Sequence, residues 1–577
     1  MSRDPPCGEK RADISSVMEH LTQRATVEGV SFLDGYTVNL QKFKDSMPRL
    51  VDSDIVTQED ANYVLHGLEW GFDMGLDESK MPGKVIFKNY RSAYENKGKV
   101  TAALAKRVAT GKTIKLGPFD GDPRDLPGDT ATIVPNGAVA KKLEPDAVRP
   151  FSDHTKSRLN GAVDAARVKH TLDTYNEIAR ELKPGYFMRV EDVDAAFPVL
   201  PLSPRVWKYM YVWWFDTDRP LEEQTKPNTL YVHVFADFGA APMPGIWNLF
   251  FKCLRGMARL DGVLTLPMPY YVDDNGIIGP VRAEVDEVAE ALSDYVEFCG
   301  APFKRLKSRH AATPQLMLGF WWDSVERTRK LEEHKLDIYM EYLSTMAKRR
   351  VMMLSELQVL AGRMYRASLT MPPGSRVFLA EVLAMMRGLK MPWHRRRVTG
   401  AAREDMLTLL EILRSNHGRG YFDYTHLPWA DAVYTDAMKD NSSAGWGWCT
   451  ACGEHDSGIF SRADKRKPID ELEAVAVYRA AVTLGPKWQG RRVPLFIDNS
   501  AVQLSLRKGW SRAARLTRII KKLHVLSVKY ECVLEPIWIS THDNIGADAL
   551  SRKDYARYKK WADEYSPGDF SKYWSTN

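Results

Sequence analysis

The stretch PYYVDDNGIIG, residues 269–279, places two adjacent carboxylates within a pattern of short strands. The aromatic and β-branched residues before Asp273 and Asp274 favour a strand. Asn275-Gly276 follows directly, and this pair is a strong hairpin signal because both residues tolerate the positive φ angles of a tight turn. The pattern therefore predicts a tight β-hairpin with the two aspartates at its tip.

Adjacent carboxylates such as Asp273 and Asp274 repel each other unless a cation lies between them. Mg²⁺ prefers hard oxygen ligands, and it commonly takes one or two protein carboxylates and leaves positions open for substrate phosphates. The pair therefore predicts a divalent-metal site of the type used in two-metal phosphoryl transfer. The alternative is a solvated acidic loop, since Asp-Asp before a turn is common.

Length and composition indicate a large globular protein. The chain has 577 residues, of which 44% are hydrophobic and 27% charged, with a net charge of +7 and a pI near 8.8. This mildly basic balance is compatible with a nucleic-acid partner without requiring one. Six cysteines are too few for a disulfide framework, so we expect a reducing, intracellular compartment, cytoplasmic or nuclear. No apolar run is long enough to predict a membrane helix.

Patterning along the chain separates several regions. Residues 1–134 carry helical patterns, although the segment 114–136 is rich in Gly, Pro and Asp and predicts a loop or linker. The apolar run 209–215 predicts a buried strand, and 354–369 predicts an amphipathic helix. From about residue 430 to 552 the order becomes strand, strand, helix, strand, helix.

A further acidic residue lies upstream, in MRVEDVDAAFPVLPL, residues 188–202. This segment resembles the first catalytic motif of reverse transcriptases, Asp-x-x-x-Ala-aromatic-x-x-x-Pro-apolar. The matching positions are Asp192, Ala196, Phe197, Pro201 and Leu202. The resemblance implies that Asp192 joins the two later aspartates in holding two Mg²⁺ ions, and that Phe197 excludes a ribose 2′-hydroxyl. The alternative for Asp192 is a helix cap.

The segment FADFGAAPMPGIWNLF, residues 235–250, resembles the Phe-Gly…Pro motif of retrotransposon polymerases. In that motif the glycine lets the backbone approach the template and the incoming nucleotide. Phe238, Gly239 and Pro244 match it, whereas Ala240, Ala241 and Met243 stand where many of those enzymes have Ser or Asn.

The same resemblance implies further substrate contacts. Arg149 would contact the triphosphate, helped by Lys141 or Lys142, and Tyr271 would line the nucleotide site. Lys307 would act near the pyrophosphate. Gly319, Trp321 and Trp322 would form a hairpin that grips the primer, with core packing as the alternative for the two tryptophans.

A second acidic set lies near the C-terminal end, in the order Asp-Glu-Asp-Asp. Asp436 is predicted at the end of a strand, Glu473 near the start of a helix, Asp498 directly after a buried strand and Asp548 at a helix start. This order and these contexts resemble ribonuclease H. The resemblance implies two more Mg²⁺ ions, with His542 assisting product release. Glu471 is the rival of Glu473, which better matches the Glu-x-x-Ala pattern of that family.

Taken together, the two resemblances imply an α+β multidomain chain: a right-hand polymerase of fingers, palm and thumb, followed by an α/β ribonuclease H-like domain. The expected divisions are an N-terminal mostly helical region of unknown role (1–134), fingers and palm (135–325), helical thumb and connection (326–428), nuclease (429–555) and tail (556–577). The implied cofactor is Mg²⁺, two ions in each site, with Mn²⁺ as a substitute. The implied partners are RNA template, DNA primer, RNA–DNA hybrid and dNTPs, without a membrane.

The order of the motifs, together with the block 354–383, most resembles the DIRS group of tyrosine-recombinase retrotransposons. Gypsy-type elements and related pararetroviruses are the second choice. The implied function is RNA- and DNA-dependent DNA synthesis with ribonuclease H activity. Two alternatives stay open: a domesticated or decayed hybrid-binding protein without polymerase activity, and a nuclease that uses the polymerase fold as a platform.

Overall fold

The computed structural model describes residues 14–141, 144–164, 172–194, 196–305 and 309–564, with the side chains of 141 and 144–147 excepted. Contacts between Cα atoms divide the chain into two compact units, Met1–Ala312 and Thr313–Asn577. Both units mix helices with sheets, so the chain has a mixed α/β multidomain architecture. Among the described residues, no helix combines the length and apolar character that a membrane crossing requires.

Ten α-helices in the described part of the first unit surround its sheets. The longest, α9, is buried on most of its surface and begins with a proline at its first turn, where the missing N–H has no helical partner to lose. The helices are α1 (Ile14–Glu28), α2 (Leu40–Asp52), α3 (Gln58–Trp70), α4 (Arg91–Glu95), α5 (Lys97–Ala109), α6 (Leu159–Ala162), α7 (Tyr175–Glu181), α8 (Pro204–Trp207), α9 (Met243–Leu260) and α10 (Arg282–Phe298).

The strands of the first unit form three sheets. They are β1 (Lys84–Ile86), β2 (Thr113–Pro118), β3 (Ala131–Ile133), β4 (Asn136–Lys141), β5 (Glu144–Ser152), β6 (Phe187–Asp192), β7 (Tyr211–Trp214), β8 (Thr229–His233), β9 (Tyr270–Tyr271) and β10 (Asp274–Gly279). One sheet has the order β1-β3-β7-β8-β2, another has the order β6-β10-β9, and β4 pairs with β5. The run 209–215 contains β7, as predicted.

The prediction of a loop over 114–136 is wrong. This segment contributes β2, at one edge of the five-stranded sheet, and β3, which lies between β1 and β7, and Leu116, Ala131 and Ile133 are buried. Its Gly, Pro and Asp residues occupy the connection, which includes a short 3-10 turn at Pro123–Asp125. The apolar residues are few and separated by turn-forming residues, so the sequence carries only a weak strand pattern here. Pairing of β2 with β8, and of β3 with β1 and β7, makes these residues extended.

The N-terminal helices share their core with the rest of the first unit. Buried residues from Ile14 to Ala311 belong to one hydrophobic cluster. Within it Phe43 of α2 stacks on Phe250 of α9 with ring centroids 5.2 Å apart, and both side chains are fully buried. The region before residue 134 is therefore part of the packing that supports α9.

Nine helices lie in the described part of the second unit. Four of them precede the strands of its largest sheet in the sequence, and five follow the first three of those strands. They are α11 (Glu333–Lys348), α12 (Leu354–Ser368), α13 (Ala380–Met386), α14 (Gly400–Asn416), α15 (Ile469–Leu484), α16 (Ser500–Lys508), α17 (Ala514–Lys529), α18 (Ile545–Ser551) and α19 (Tyr555–Glu564). The amphipathic pattern predicted over 354–369 corresponds to α12, whose buried residues recur at helical spacing.

Eleven strands of the second unit complete its described part. They are β11 (Pro314–Met317), β12 (Phe320–Asp323), β13 (Thr328–Leu331), β14 (Val351–Met353), β15 (Arg395–Arg397), β16 (Arg419–Tyr421), β17 (Val433–Lys439), β18 (Ala444–Thr450), β19 (His455–Ile459), β20 (Arg492–Ile497) and β21 (Val533–Trp538). The largest sheet has the order β19-β18-β17-β20-β21. β17, β20 and β21 run parallel, and β18 and β19 form an antiparallel extension.

We expect Phe43→Ala to destabilise the first unit by about 3–5 kcal/mol, because truncating a fully buried aromatic side chain leaves a cavity. Hydrogen–deuterium exchange should accelerate in peptides from α9, which the Phe43 ring contacts through Phe250. Gln41→Ala, an exposed change on the same helix, serves as the control. Unchanged exchange in α9 with Phe43→Ala would contradict a shared core.

Candidate active sites

The first acidic site forms where β10 pairs with β6. The antiparallel register sets Asp274 opposite Asp192, and the Val193 N–H donates to the Asp273 carbonyl at 3.1 Å. Asp273 lies in the turn that joins β9 to β10. Three aspartates that are distant in sequence therefore meet at one end of a three-stranded sheet.

The prediction that Asn275-Gly276 forms the turn is wrong. The turn falls three residues earlier, at Val272 and Asp273, and Asn275 lies inside β10. The Asn275 side chain is fully buried and donates from its amide to the carbonyls of Glu191 and Asp273, at 3.2 and 3.0 Å. Cross-strand pairing with β6 extends β10 through the pair and overrides its local preference for a turn.

Val272 occupies a left-handed conformation in this turn. Its φ of 58° is costly for a β-branched residue. The indole N–H of Trp247, from α9, donates to the Val272 carbonyl at 2.7 Å. The buried helix α9 therefore holds the turn that carries Asp273.

Two cations act on the three aspartates of this site. Burial, and secondarily the Asp192 carboxylate, raise the pKa of Asp273. Lys304 donates to the Asp192 carboxylate at 3.0 Å, and the positive charge of Arg149, on β5, acts on Asp273 in the opposite direction to burial. Lys304 was missed because the basic run 304–307 offers several candidates that local sequence cannot separate.

Phe197 and Phe238, two of the predicted nucleotide contacts, lie against each other. Phe197 is buried in a 3-10 turn, and its ring lies 5.0 Å from the ring of Phe238, centroid to centroid. Phe238 is 45% exposed, and Tyr271 on β9 is 42% exposed. Gly239 has a φ of 107°, and a Cβ there would lie 2.7 Å from the Ser152 carbonyl oxygen. This position therefore requires glycine.

Other predicted contacts have different outcomes. Lys307 and Lys142, and the side chain of Lys141, lie outside the described residues. Trp322 is fully buried, packs against Phe422 and donates to the Met317 carbonyl at 3.1 Å, so its predicted role in gripping a primer is wrong and core packing explains it. Trp321 is partly exposed on β12, and Gly319 forms the turn between β11 and β12 with a φ of 78°.

The second acidic site lies on the parallel part of the largest sheet. The register between β17 and β20 pairs Thr435 with Ile497, so the next residues, Asp436 and Asp498, come side by side. Glu473, from α15, accepts a hydrogen bond from the Ala437 N–H at 3.1 Å. The prediction that Asp436 ends its strand is wrong, because pairing with β18 continues β17 to Lys439.

Three carboxylates crowd together in this site. One oxygen from each of Asp436, Glu473 and Asp498 lies within 4.8 Å of the other two. Burial, together with the neighbouring carboxylates, raises the pKa of Asp436 to about 7 and raises the pKa values of Glu473 and Asp498. Among the described residues, no donor reaches the buried Oδ2 atom of Asp436. Three crowded carboxylates are hard oxygen ligands of the kind that Mg²⁺ and Mn²⁺ prefer, and an ion between them would offset their repulsion.

Helix α18 brings Asp548 to the same site, as predicted. Two glycines of β18 permit this approach: a Cβ on Gly447 would lie 2.6 Å from the Leu550 Cβ and the Ser551 nitrogen, and a Cβ on Gly445 would overlap the Ser551 carbonyl oxygen. Any larger residue at either glycine would push α18 off the strand. The sequence marks these glycines only as a Gly-rich strand.

Two arginines bind Asp548, and neither was predicted. Arg552 and Arg557 donate to its two carboxylate oxygens at 2.7 and 2.6 Å. Arg552 lies one helical turn beyond Asp548, a spacing typical of helical ion pairs. Arg557 belongs to α19, and no local pattern links it to the acid.

The remaining predicted residues lie close by. His542 is exposed in the turn before α18, four residues after Trp538, whose indole N–H donates to the Asp498 carbonyl at 3.0 Å. Glu471 pairs with Lys467 at 3.4 Å, and the carboxylate cluster contains Glu473 instead. Of the two rival glutamates, Glu473 is therefore the one in the cluster.

Comparisons with known proteins found similar solved structures. The chain is similar to a foamy viral protease-reverse transcriptase dRH in complex with double-stranded DNA (14% identity, 94% of this chain and 84% of that chain, TM-score 0.44). It is also similar to that protein in complex with an RNA/DNA hybrid (13%, 94% and 65%, 0.43) and with double-stranded DNA (15%, 86% and 97%, 0.42). No protein-family model and no curated protein matches the chain.

We expect the stability of the metal-free protein to depend on pH through Asp436. Because the folded state raises the pKa of this carboxyl to about 7, the folded chain holds a proton that the unfolded chain releases between about pH 4 and pH 7. The contribution of Asp436 to the free energy of unfolding is therefore favourable in acid and is lost as pH rises through 7. In EDTA, Asp436→Asn should melt at a higher temperature than wild type at pH 8, and the difference should shrink as the pH falls and vanish below about pH 4, where both the folded and the unfolded chain carry the proton.

Addition of Mg²⁺ at 100 times its dissociation constant should stabilise the wild type by about 2.7 kcal/mol, because the ion binds only the folded chain. Asp436→Asn should lose most of this gain, whereas Glu471→Gln should keep it. Thermal melts with and without Mg²⁺ measure both effects. Equal stabilisation of wild type and Asp436→Asn would exclude the second site as the place where the metal binds.

Proposed function

We propose that this chain is an RNA-directed DNA polymerase that also cleaves the RNA strand of an RNA–DNA hybrid. The observation that carries the proposal is the presence of two separate acidic clusters in one chain, each with its acids drawn from distant strands and helices. Asp192, Asp273 and Asp274 meet beside an aromatic pair and basic residues. Asp436, Glu473 and Asp498 meet within metal-binding distance.

In the first site, Asp192, Asp273 and Asp274 would hold two divalent ions, and Arg149 and Lys304 would bind triphosphate oxygens. When bound, the ions would neutralise phosphate charge and favour deprotonation of the primer 3′-hydroxyl. Gly239 allows the turn after Phe238 to pack closely against the Ser152 carbonyl.

The buried Phe197 ring would close the space where a ribose 2′-hydroxyl would lie, so that dNTPs are preferred. Its contact with Phe238 supports this role. A ring that is held in place by packing on one face cannot move aside to admit a substituent on the other face.

In the second site, Asp436, Glu473 and Asp498 would hold the metal ions, with Asp548 completing the set once its arginines exchange partners. The acids would then orient a water molecule for attack on the RNA phosphodiester. Such recognition depends on hybrid shape and 2′-hydroxyls rather than on base sequence. Exposed Trp538 and His542 lie beside Asp498 and would contact the hybrid.

The same proposal includes the retroelement group, the domain boundaries and the partners of the chain. We place the chain with the DIRS group of retroelements on its motif order. We keep the division into fingers and palm (135–325), thumb and connection (326–428) and nuclease (429–555), and an intracellular site of action. The partners would be RNA template, DNA primer, hybrid and dNTPs.

Substitution of one acid in each site should separate the two activities. Asp273→Asn should reduce DNA primer extension on an RNA template by at least about 100-fold and leave hybrid cleavage intact, because it removes a charge that stabilises the transition state. Asp498→Asn should do the reverse. Asp194→Asn and Glu471→Gln are matched controls, since each lies two residues from an acid of its site. Loss of both activities in either single variant, with the fold intact, would refute two independent sites.

Phe197→Ala should raise incorporation of rNTPs relative to dNTPs by about tenfold or more, because it opens the space that the ring fills. Single-nucleotide extension with each class of triphosphate measures the ratio. Val199→Ala truncates another buried side chain of the same 3-10 turn and controls for loosened packing. If both variants changed the ratio equally, the Phe197 ring would not be the group that excludes the ribose 2′-hydroxyl.

A further inference from the structure

A buried ionic cluster lies directly behind the Phe238–Gly239 turn. Asp237 accepts a hydrogen bond from the Ser152 hydroxyl at 2.6 Å. Its carboxylate also lies 3.7 Å from the Arg107 guanidinium and 3.8 Å from Nε2 of His233. The buried imidazole of His154 belongs to the same cluster, because it lies with Ser152 against the Gly239 backbone, and burial lowers its pKa. We call these five residues the Asp237 cluster.

The Asp237 cluster draws on distant parts of the first unit. Arg107 comes from α5 and His233 from β8, whereas Ser152 ends β5 and His154 lies two residues beyond it. The Asp237 side chain is only 14% exposed. Burial would raise the pKa of Asp237, but Arg107, His233 and Ser152 outweigh it and hold the pKa at about 2, so the group is a carboxylate.

Direct bonds connect this cluster to the backbone that presents Phe238. The Phe238 N–H donates to Oδ1 of Asp237 at 2.8 Å, and Arg107 donates to the Phe235 carbonyl at 3.4 Å. On the other side of the turn, the Asn160 side chain donates to the Gly239 carbonyl at 2.9 Å and accepts from the Ala241 N–H at 2.8 Å. The turn is therefore bound from both sides.

Phe238 itself is half exposed and has few restraints of its own. Its ring touches Phe197, the residue that would exclude ribonucleotides. The orientation of this aromatic pair therefore depends on the backbone bonds made by Asp237 and on the ion pair that holds Asp237.

We propose that Asp237 and Arg107 are positioning residues for nucleotide selection, which act by holding Phe238 against Phe197. This inference rests on the proposed polymerase function and adds to it a role for α5, which belongs to the N-terminal region of otherwise unassigned function. Neither residue touches the nucleotide; both act through the Phe238–Gly239 turn.

An ion cluster of this kind is a poor device for stability alone. Replacing a buried ion pair by apolar residues of similar volume is often neutral or stabilising, so stability does not explain why one is retained. Charged groups that make several directional bonds do fix one geometry. Here the bonds of Asp237 fix the backbone that carries the half-exposed Phe238 ring.

The kinetic test compares Asp237→Asn and Arg107→Met with wild type in primer extension. We expect the KM for dNTPs to rise about tenfold with kcat reduced by less than about threefold, because binding geometry rather than the acids is affected. The preference for dNTPs over rNTPs should fall by a similar factor, and hybrid cleavage should be unchanged. Arg107→Lys should restore part of the selectivity, and Lys106→Met, an exposed change on the same helix, should match wild type.

A second measurement does not depend on catalysis. A 4-trifluoromethylphenylalanine at position 238 reports the ring's environment by ¹⁹F NMR. Wild type and Lys106→Met should each give one narrow resonance, whereas Asp237→Asn and Arg107→Met should give a broadened or doubled one. If either variant fails to fold, Ser152→Ala, which removes only one hydrogen bond to Asp237, replaces it.

The two measurements separate the possible failures. A wild type that cannot extend a primer overturns the proposed function, while the fluorine spectra still decide whether the cluster positions Phe238. Unchanged spectra in the folded variants overturn the positioning role even if polymerase activity is present. Altered spectra with unchanged KM and unchanged selectivity overturn the role in nucleotide selection.

Discussion

Repulsion between carboxylates is the constraint on which both candidate sites depend. Each site gathers acids that would separate in water, and the fold must supply the restraint that keeps them together. In the first site the restraint is the pairing of β6 with β10. The positive charges of Lys304 and Arg149 also weaken the repulsion between the acids. In the second it is the parallel sheet with α15 and α18, where, among the described residues, no ion pair reaches the three clustered acids and two arginines bind Asp548. The two sites therefore differ in how far they depend on an added metal ion for charge balance.

Much of this organisation could be predicted from the sequence, because the acids lie in local contexts with clear periodicity. Asp498 follows a buried strand, Glu473 lies in the first turns of a helix, and Asp548 lies in the first turn of another helix. Those local contexts are set by residues that are close in the sequence, so the folded chain retains them. The boundaries were less predictable: strand pairing carried Asn275 and Asp436 into strand interiors, against the turn and strand-end positions expected for them.

The partners of the acids could not be predicted, since they are set by long-range packing. Lys304 reaches Asp192 across 112 residues, and Arg107 reaches the turn before Phe238 across 128. Basic residues are frequent throughout the chain, so sequence alone cannot select one among many. The same reason explains the failure at Trp322: an aromatic residue in a hairpin can face a ligand or the core, and only the packing of Phe422 against it decides.

Gly445 and Gly447 have a consequence for how this chain can change over time. Every single-nucleotide missense change of a glycine codon introduces a Cβ, and neither position has space for one beneath α18. The second acidic site can therefore be lost by drift while all four of its acids remain in place. In descendants of this gene, retention of the two glycines is a stricter record of continued selection on this site than retention of the acids themselves.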